Sequence, residues 1–101
     1  MPIKSPLFLT EDSTINKIAP EKKGVYALYD HFSVLIYYGS TDNIQASVFD
    51  HKYGREKRTC TWNAHYFNFE ECADPSSREK ELLEEYKKLN NKLPHCNEVS
   101  Y

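Results

Sequence analysis

Two short segments rich in glycine and tyrosine constrain the fold of this chain most. Gly24-Val25-Tyr26 and Tyr37-Tyr38-Gly39 are separated by a polar bend around His31 and Phe32. The aromatic and β-branched residues on either side of the bend predict two antiparallel strands joined in a hairpin. With the turn centred on the bend, Tyr26 lies directly opposite Tyr37, and opposed residues project from one face of a sheet. The hairpin is therefore predicted to present two tyrosines side by side, either as an ordinary aromatic pair or as part of a site.

The remaining elements predict an α+β domain with a small, mainly antiparallel sheet of three strands flanked by helices. The apolar run from Val34 to Tyr38 favours a central strand covered on both faces. Residues 1–22 are expected to form a lead-in that packs on a domain of residues 23–101. In order, the predicted elements are a short helix capped by Ser13, strands 24–30 and 33–39, a helix over 43–53, a strand that alternates from Trp62 to Phe69, and a long helix begun by Asp74 and Pro75.

The cysteines and the apolar content of the chain indicate its cellular compartment and argue against a zinc site. The chain has 101 residues, a net charge of −2 and three cysteines, Cys60, Cys72 and Cys96. An odd number of cysteines without a Cys-x-x-Cys pair argues against a zinc site, and it favours reduced thiols in a cytoplasmic or nuclear protein. The sequence has no apolar run long enough for a membrane helix.

Positive charge is concentrated in one loop of this slightly acidic chain. Lys52, Arg55, Lys57 and Arg58 lie close together with Glu56 as the only acid among them. A basic loop of this kind suits contacts with nucleic acid phosphates, and its ordinary alternative is a solvated surface loop.

The order of the elements, together with the two tripeptides, resembles the GIY-YIG nuclease superfamily over about residues 23 to 98. Positions further along the chain fit the same pattern. They are Ser40, Thr41 and Asn43 after the second tripeptide, His51 in the following helix, Glu79 near the start of the long helix, and Asn97 in the segment Leu93-Pro94-His95-Cys96-Asn97.

The resemblance implies a metal-dependent DNA endonuclease. It assigns Tyr37 as the general base, Tyr26 as its hydrogen-bonding support, and Glu79 as the ligand of one Mg²⁺ or Mn²⁺ ion. His51 and Asn97 would donate hydrogen bonds to the nucleophile or the phosphate. The residues expected to contact nucleic acid are Ser40, Asn43, Lys52, Arg55, Lys57 and Arg58.

Ser47 departs from the family's pattern, which has a catalytic arginine at this position. A serine offers one neutral hydroxyl where a cation with several donors is expected. Losing one preorganised donor in such a site costs about 2.7 to 4 kcal/mol of transition-state stabilisation. Cations that could replace the arginine are Lys52, Arg55 and Arg58.

Each site residue also has an ordinary structural interpretation. Glu79 can interact with the positive end of its helix dipole, His51 can bond carbonyls at the end of a helix, and Asn97 can bond backbone in a turn. Three functions therefore remain open: an endonuclease, a non-catalytic DNA- or RNA-binding descendant, and a protein-interaction module. In the third, the acidic face of the long helix, with Glu81, Glu84 and Glu85, meets a basic partner.

Overall fold

One four-stranded antiparallel sheet with helices on both faces forms the molecule. The computed structural model describes residues 2–54 and 59–98. Its strands are β1 (Phe8–Leu9), β2 (Gly24–Tyr29), β3 (Leu35–Thr41) and β4 (Tyr66–Glu71). Its helices are α1 (Asp12–Ile18), α2 (Ile44–Lys52), α3 (Pro75–Asn90) and α4 (His95–Glu98), with a short 3-10 helix at Thr59–Asn63.

The predicted α+β class is confirmed, and the number of strands is one higher than predicted. The additional strand is β1, in which Phe8 pairs with Phe67 and Leu9 pairs with Tyr66 of β4. A strand of two residues is too short to show the alternation that reveals a strand in sequence. Residues of the lead-in therefore contribute directly to the sheet.

The strand order is β1-β4-β2-β3, so β2 is central and β3 lies at an edge. The prediction that Val34 to Tyr38 forms a central strand is wrong. The apolar character of β3 has another cause: side chains cover both of its faces, although no strand among the described residues pairs with its outer edge. Tyr37 packs in the core on one face and Tyr38 in the core on the other.

The hairpin between β2 and β3 has a different register from the predicted one. Tyr26 pairs with Gly39, and Leu28 pairs with Tyr37. An irregularity between Leu28 and Tyr29 shifts the pairing, and Ser33 closes the turn with a φ of 65°. The two tyrosines still share a face, because Tyr37 and Gly39 are two residues apart on one strand.

The sheet separates two hydrophobic cores. Ile44 and Val48 of α2 and Ile15 of α1 pack on the face that carries Tyr26 and Tyr37. Leu82 of α3 packs on the opposite face, together with Val25, Ala27 and Tyr38. The alternation of β2 and β3 therefore sends each tyrosine of the Tyr37-Tyr38 pair to a different core.

The two longer helices begin at capping residues that the sequence predicts. The Asn43 side chain accepts a hydrogen bond from the Ala46 N–H at 3.0 Å and begins α2. Asp74 accepts one from the Ser77 N–H at 3.3 Å and begins α3, with Pro75 in the first turn. The first helix begins at Asp12 rather than after Ser13.

The third predicted strand begins later than expected. β4 starts at Tyr66, because Thr59–Asn63 forms the 3-10 helix and interrupts the alternation that begins at Trp62. The prediction for this segment is therefore correct from Tyr66 to Phe69 and wrong before it.

The cysteines also differ from the prediction of reduced thiols. Cys60 and Cys96 form a disulfide, with Cα atoms 5.6 Å apart, that joins the 3-10 helix to α4. Cys72 is a free thiol, and burial raises its pKa. In the part of the chain that the structure describes, no helix has the length and apolar character needed to cross a membrane.

Candidate active site

The two glycines of the tripeptides are required by close packing around β2. A Cβ atom at position 39 would lie 2.5 Å from the Tyr26 hydroxyl and 2.8 Å from its Cε1 atom. A Cβ atom at position 24 would lie 2.8 Å from Ile44 Cδ1, and even closer to the carbonyl oxygen of Glu70. Gly39 therefore leaves room for the Tyr26 ring against β3, and Gly24 lets α2 and β4 approach the start of β2.

A buried chain of hydrogen bonds begins at Tyr26. Its hydroxyl lies 2.8 Å from His51 Nε2, and His51 Nδ1 lies 2.7 Å from Thr61 Oγ1. The exposed fractions of these three residues are 4%, 2% and 0%. The last turn of α2, the central strand and the 3-10 helix thus supply one residue each to a single polar chain within an apolar core.

Tyr37 completes an aromatic group with the first two members of that chain. Its ring centroid lies 6.1 Å from that of Tyr26 and 5.2 Å from that of His51. The Tyr26 and His51 centroids are 5.5 Å apart. The fold therefore brings Tyr26, Tyr37 and His51 together, as the sequence predicts. Their catalytic roles stay predictions.

Ser47 lies one turn before His51 on α2 and has a local partner. Its hydroxyl oxygen is 2.6 Å from Thr41 Oγ1, and the Thr41 hydroxyl also accepts a hydrogen bond from the Asn43 N–H at 3.0 Å. These contacts join the end of β3 to the start of α2. Ser40 and Thr41 line a shallow surface pocket with Asp42, Pro75 and Ser76.

Lys52, a candidate for the missing cation, is held against the N-terminal segment. Its ammonium group donates a hydrogen bond to the Thr10 carbonyl at 2.8 Å and lies 3.1 Å from an Asp12 carboxylate oxygen. Hydrogen bonds from Tyr53 and Lys52 lower the pKa of Asp12. The other three members of the predicted basic cluster, Arg55, Lys57 and Arg58, lie outside the described residues.

Glu79 lies in α3, the helix that covers the opposite face of the sheet from Tyr26 and His51. The residue before it, Arg78, bonds Glu70 at 2.7 Å and Glu81 at 2.5 Å. Among residues 2–54 and 59–98, no three His, Cys, Asp or Glu side chains form a group able to hold a metal ion. Any ion at Glu79 would therefore take most of its ligands from water or substrate.

Asn97 is bonded to the backbone of the edge strand. Its amide nitrogen donates to the Tyr38 carbonyl at 3.0 Å, and its amide oxygen accepts from the Tyr38 N–H at 2.9 Å. The side chain thus takes the place of a neighbouring strand along one residue of β3. A hydrogen bond to backbone is the ordinary structural interpretation of Asn97. The catalytic role of Asn97 stays a prediction.

Sequence reasoning missed three residues at the end of α2. Thr61 is the partner of His51, and the half-exposed side chains of Tyr53 and Trp62 line one cleft with Lys52 and Gly54. The Trp62 indole lies against Gly54, where a Cβ atom would be 3.1 Å from Trp62 Cε2. The sequence predicts a strand at the single tryptophan, and no spacing rule connects a threonine in a short 3-10 helix to a helical histidine.

No protein-family model matches the chain, and no curated protein sequence matches it. Comparison with solved structures, in contrast, shows that the chain has the fold of GIY-YIG nuclease domains. One similar structure is the GIY-YIG N-terminal endonuclease domain of UvrC from Thermotoga maritima bound to magnesium. It is 19% identical and covers 86% of this chain and 98% of that domain, with a TM-score of 0.63.

A second similar structure is a tyrosine-to-phenylalanine point mutant of the same UvrC domain, bound to its catalytic divalent cation. It is 18% identical and covers 88% of this chain and 99% of that domain, again with a TM-score of 0.63. The two matches establish the fold over most of the chain.

Proposed function

We propose that this chain acts on nucleic acid as a slow, divalent-metal-dependent DNA endonuclease. The observation that carries the proposal is the hydrogen bond of 2.8 Å between the Tyr26 hydroxyl and His51 Nε2, with the Tyr37 ring packed beside both. A phenol is a weak base unless a neighbour accepts its proton. The histidine provides that acceptor at hydrogen-bond distance.

The contact with His51 gives the Tyr26 hydroxyl a proton acceptor, and we propose Tyr26 as the tyrosine that activates the attacking water. Transfer of the Tyr26 proton to His51 would leave a phenolate stabilised by the adjacent imidazolium. Tyr37 would then pack against the ring pair and fix its orientation. This assignment reverses the roles that the family resemblance implied for the two tyrosines.

Glu79 is the residue that we propose to hold the metal ion. The substrate phosphate would reach it around the edge of the sheet, where Pro75 and Ser76 at the start of α3 lie beside Ser40 and Thr41 at the end of β3. A carboxylate is the oxygen ligand that Mg²⁺ and Mn²⁺ prefer, and one or two carboxylates are sufficient when substrate phosphate and water complete the coordination. The ion would supply Lewis acidity and neutralise charge on the phosphate. The magnesium in the similar UvrC domain supports this choice.

The low rate in the proposal follows from Ser47. Its hydroxyl is paired with Thr41, and it carries no charge. Lys52, the only described member of the predicted basic cluster, is paired with Asp12. A missing preorganised donor lowers the rate of such a reaction about a hundred- to a thousandfold.

Tyr53 and Trp62 support nucleic acid as the partner. Their exposed rings line the cleft beside the end of α2, and aromatic rings of this kind stack with unpaired bases. The compartment proposed for this activity is the cytoplasm, or the nucleus of a eukaryotic cell. Because cytosolic thiols are kept reduced, the Cys60–Cys96 disulfide would form there only under oxidising conditions.

A plasmid-nicking assay with Mg²⁺ or Mn²⁺ tests the proposal. We expect slow nicking by the natural chain, nicking about a hundredfold faster by Ser47→Arg, and none by Glu79→Gln. Ser47→Gln is the matched control, because it adds length and donors without charge and should not accelerate the reaction. Nicking that persists in Glu79→Gln would contradict the proposed metal ligand.

The second candidate function is non-catalytic binding of nucleic acid, which the Ser47–Thr41 contact favours. It predicts no nicking by the natural chain together with salt-dependent binding, since phosphate contacts weaken steeply as salt rises. Trp62 is the only tryptophan, so quenching of its fluorescence by short single strands reports binding at this cleft directly. Absence of both nicking and quenching at low salt would exclude both candidates.

A further inference from the structure

The side chain of Thr61 is fully buried although it belongs to a 3-10 helix of only five residues. Its exposed fraction is 0%, and its hydroxyl oxygen lies 2.7 Å from His51 Nδ1. The preceding residue, Cys60, is joined by the disulfide to Cys96 in α4. Burial and the contact with His51 therefore hold the Thr61 hydroxyl beside the end of α2. The disulfide, where it is formed, joins the same segment to α4.

The two partners of His51 restrict how its ring proton is placed. A neutral imidazole has one nitrogen that donates and one that accepts, and here both nitrogens face hydroxyl groups. A phenol is a stronger acid than an aliphatic alcohol, so the Tyr26 hydroxyl is the better donor toward an imidazole lone pair. The arrangement that follows has Tyr26 donating to Nε2 and Nδ1–H donating to Thr61.

We propose that Thr61 is a positioning residue that accepts a hydrogen bond from the Nδ1–H of His51. It thereby keeps Nε2 unprotonated, so that this nitrogen can accept the proton of Tyr26. The inference rests on the proposed function for its consequence in catalysis, but the tautomer itself is independent of whether the chain cleaves DNA. The hydroxyl at position 61 stabilises this tautomer, because loss of the acceptor of a buried N–H costs about 1 to 3 kcal/mol. That cost is avoided if the ring changes to the other tautomer, in which Nε2 carries the proton and faces Tyr26 as a donor.

Thr61 would act on the reaction through His51 and without touching the substrate. In the tautomer that it selects, the proton of Tyr26 can move to His51 while Nδ1–H stays bonded to the threonine. In the opposite tautomer, Nε2 already carries a proton and cannot accept another. In functional histidines generally, the hydrogen bond made by one ring nitrogen determines whether the other ring nitrogen carries a proton.

Nitrogen-15 NMR of the histidine side chains tests the tautomer directly. The chain has four histidines, and the His51→Gln variant identifies which signals belong to His51. We expect a protonated Nδ1 and an unprotonated Nε2 in the natural chain and in Thr61→Ser, which keeps the hydroxyl. We expect the proton on Nε2 in Thr61→Val, which has nearly the same shape but no hydroxyl.

Two results would overturn the proposal: a proton on Nε2 in the natural chain, or an unchanged Nδ1–H in a folded Thr61→Val variant. If Thr61→Val does not fold, the natural chain and Thr61→Ser still decide, because a difference in tautomer between them also contradicts it. Backbone amide spectra away from residues 51 and 61 serve as the control for folding.

Kinetics separate this inference from the proposed function. If the chain nicks DNA, kcat should fall roughly a hundredfold in Thr61→Val, the lower end of what a positioned general base contributes. KM should be unchanged, and Thr61→Ser should restore most of the rate. If the chain does not nick DNA, the proposed endonuclease fails while the NMR result still decides the role of Thr61.

Discussion

Gly39 and Tyr26 show how a short motif encodes a packing requirement at the scale of single residues. The glycine has no unusual φ, and its role is to leave room for the tyrosine ring that lies over it. This ring in turn reaches His51. The second tripeptide therefore contributes to the candidate site in two ways: Tyr37 packs in it, and Gly39 has no Cβ atom that would displace the Tyr26 ring.

Replacing Gly39 by alanine should destabilise the protein by about 1 to 3 kcal/mol, the range found for overpacked cores. The added methyl group must displace the Tyr26 ring, and with it the hydrogen bond to His51. Urea unfolding measures the loss. The control is a double-mutant cycle, since Gly39→Ala should cost clearly less in a Tyr26→Ala background. Equal costs in both backgrounds would rule out the steric explanation.

Three residues on regular elements lie together as the sequence predicts, although their roles stay predictions. Tyr26, Tyr37 and His51 come together because strand alternation and helical spacing determine where they point. Thr61 was missed because it lies in a 3-10 helix of five residues, which is too short to show a periodicity in the sequence. The register of the hairpin was missed because it depends on a bulge, and a bulge of one residue has little signature in one sequence.

At the scale of elements, the shortest helix is attached to the rest of the fold at two points. The Cys96 disulfide joins α4 to the 3-10 helix, and Asn97 bonds both backbone groups of Tyr38 at the edge of β3. A helix of four residues is not stable by itself. These two attachments therefore place α4 against the exposed edge of the sheet, where it also protects the strand from pairing with other chains.

Reducing the Cys60–Cys96 disulfide should lower the free energy of unfolding by roughly 3 to 4 kcal/mol, the size expected from loop closure over the 36-residue separation. Urea unfolding with and without a dithiol reductant measures this difference. A Cys60→Ala and Cys96→Ala double variant should not respond to reductant, whereas Cys72→Ala, which lacks the free thiol, should respond like the natural chain. A natural chain that is insensitive to reductant would contradict the crosslink.

The disulfide could not be derived from the sequence. Three cysteines allow three single pairings, and the separation of Cys60 from Cys96 resembles no metal or redox motif. The pairing depends on α4 folding back to the 3-10 helix, and neither of these short elements was predicted. The position of β3 at the edge was missed for a related reason, because the partner that covers it is the amide of Asn97 rather than a strand.

At the scale of the whole molecule, the sheet keeps the Tyr26–His51 pair and the core under α3 on separate faces. Tyr38 belongs to the α3 side, where its exposed fraction is 5%. Burial, followed by the influence of Tyr29 and Glu85, raises the pKa of Tyr38 to about 12, although Arg78 acts in the opposite direction. Ionisation of Tyr38 at alkaline pH should therefore destabilise the core under α3. Tyr38 does not belong to the Tyr26–His51 pair.

The consequence for stability can be worked out from the two pKa values. In the unfolded chain Tyr38 ionises near its ordinary pKa of about 10, and in the folded chain it ionises at about 12. Between these values the unfolded state binds fewer protons, so the free energy of unfolding falls as pH rises. The stabilisation is fully present below about pH 10, and about 2 to 3 kcal/mol is lost by pH 12.

Urea unfolding at several pH values between about 8 and 12 measures this loss in the natural chain and in Tyr38→Phe. The phenylalanine variant should lose less stability over that interval, because it keeps the ring and removes the ionising group. Other tyrosines titrate in both proteins, so the difference between the two curves isolates Tyr38. Parallel curves would show that Tyr38 ionises as readily in the folded protein as in the unfolded chain, and that α3 does not shield it from water.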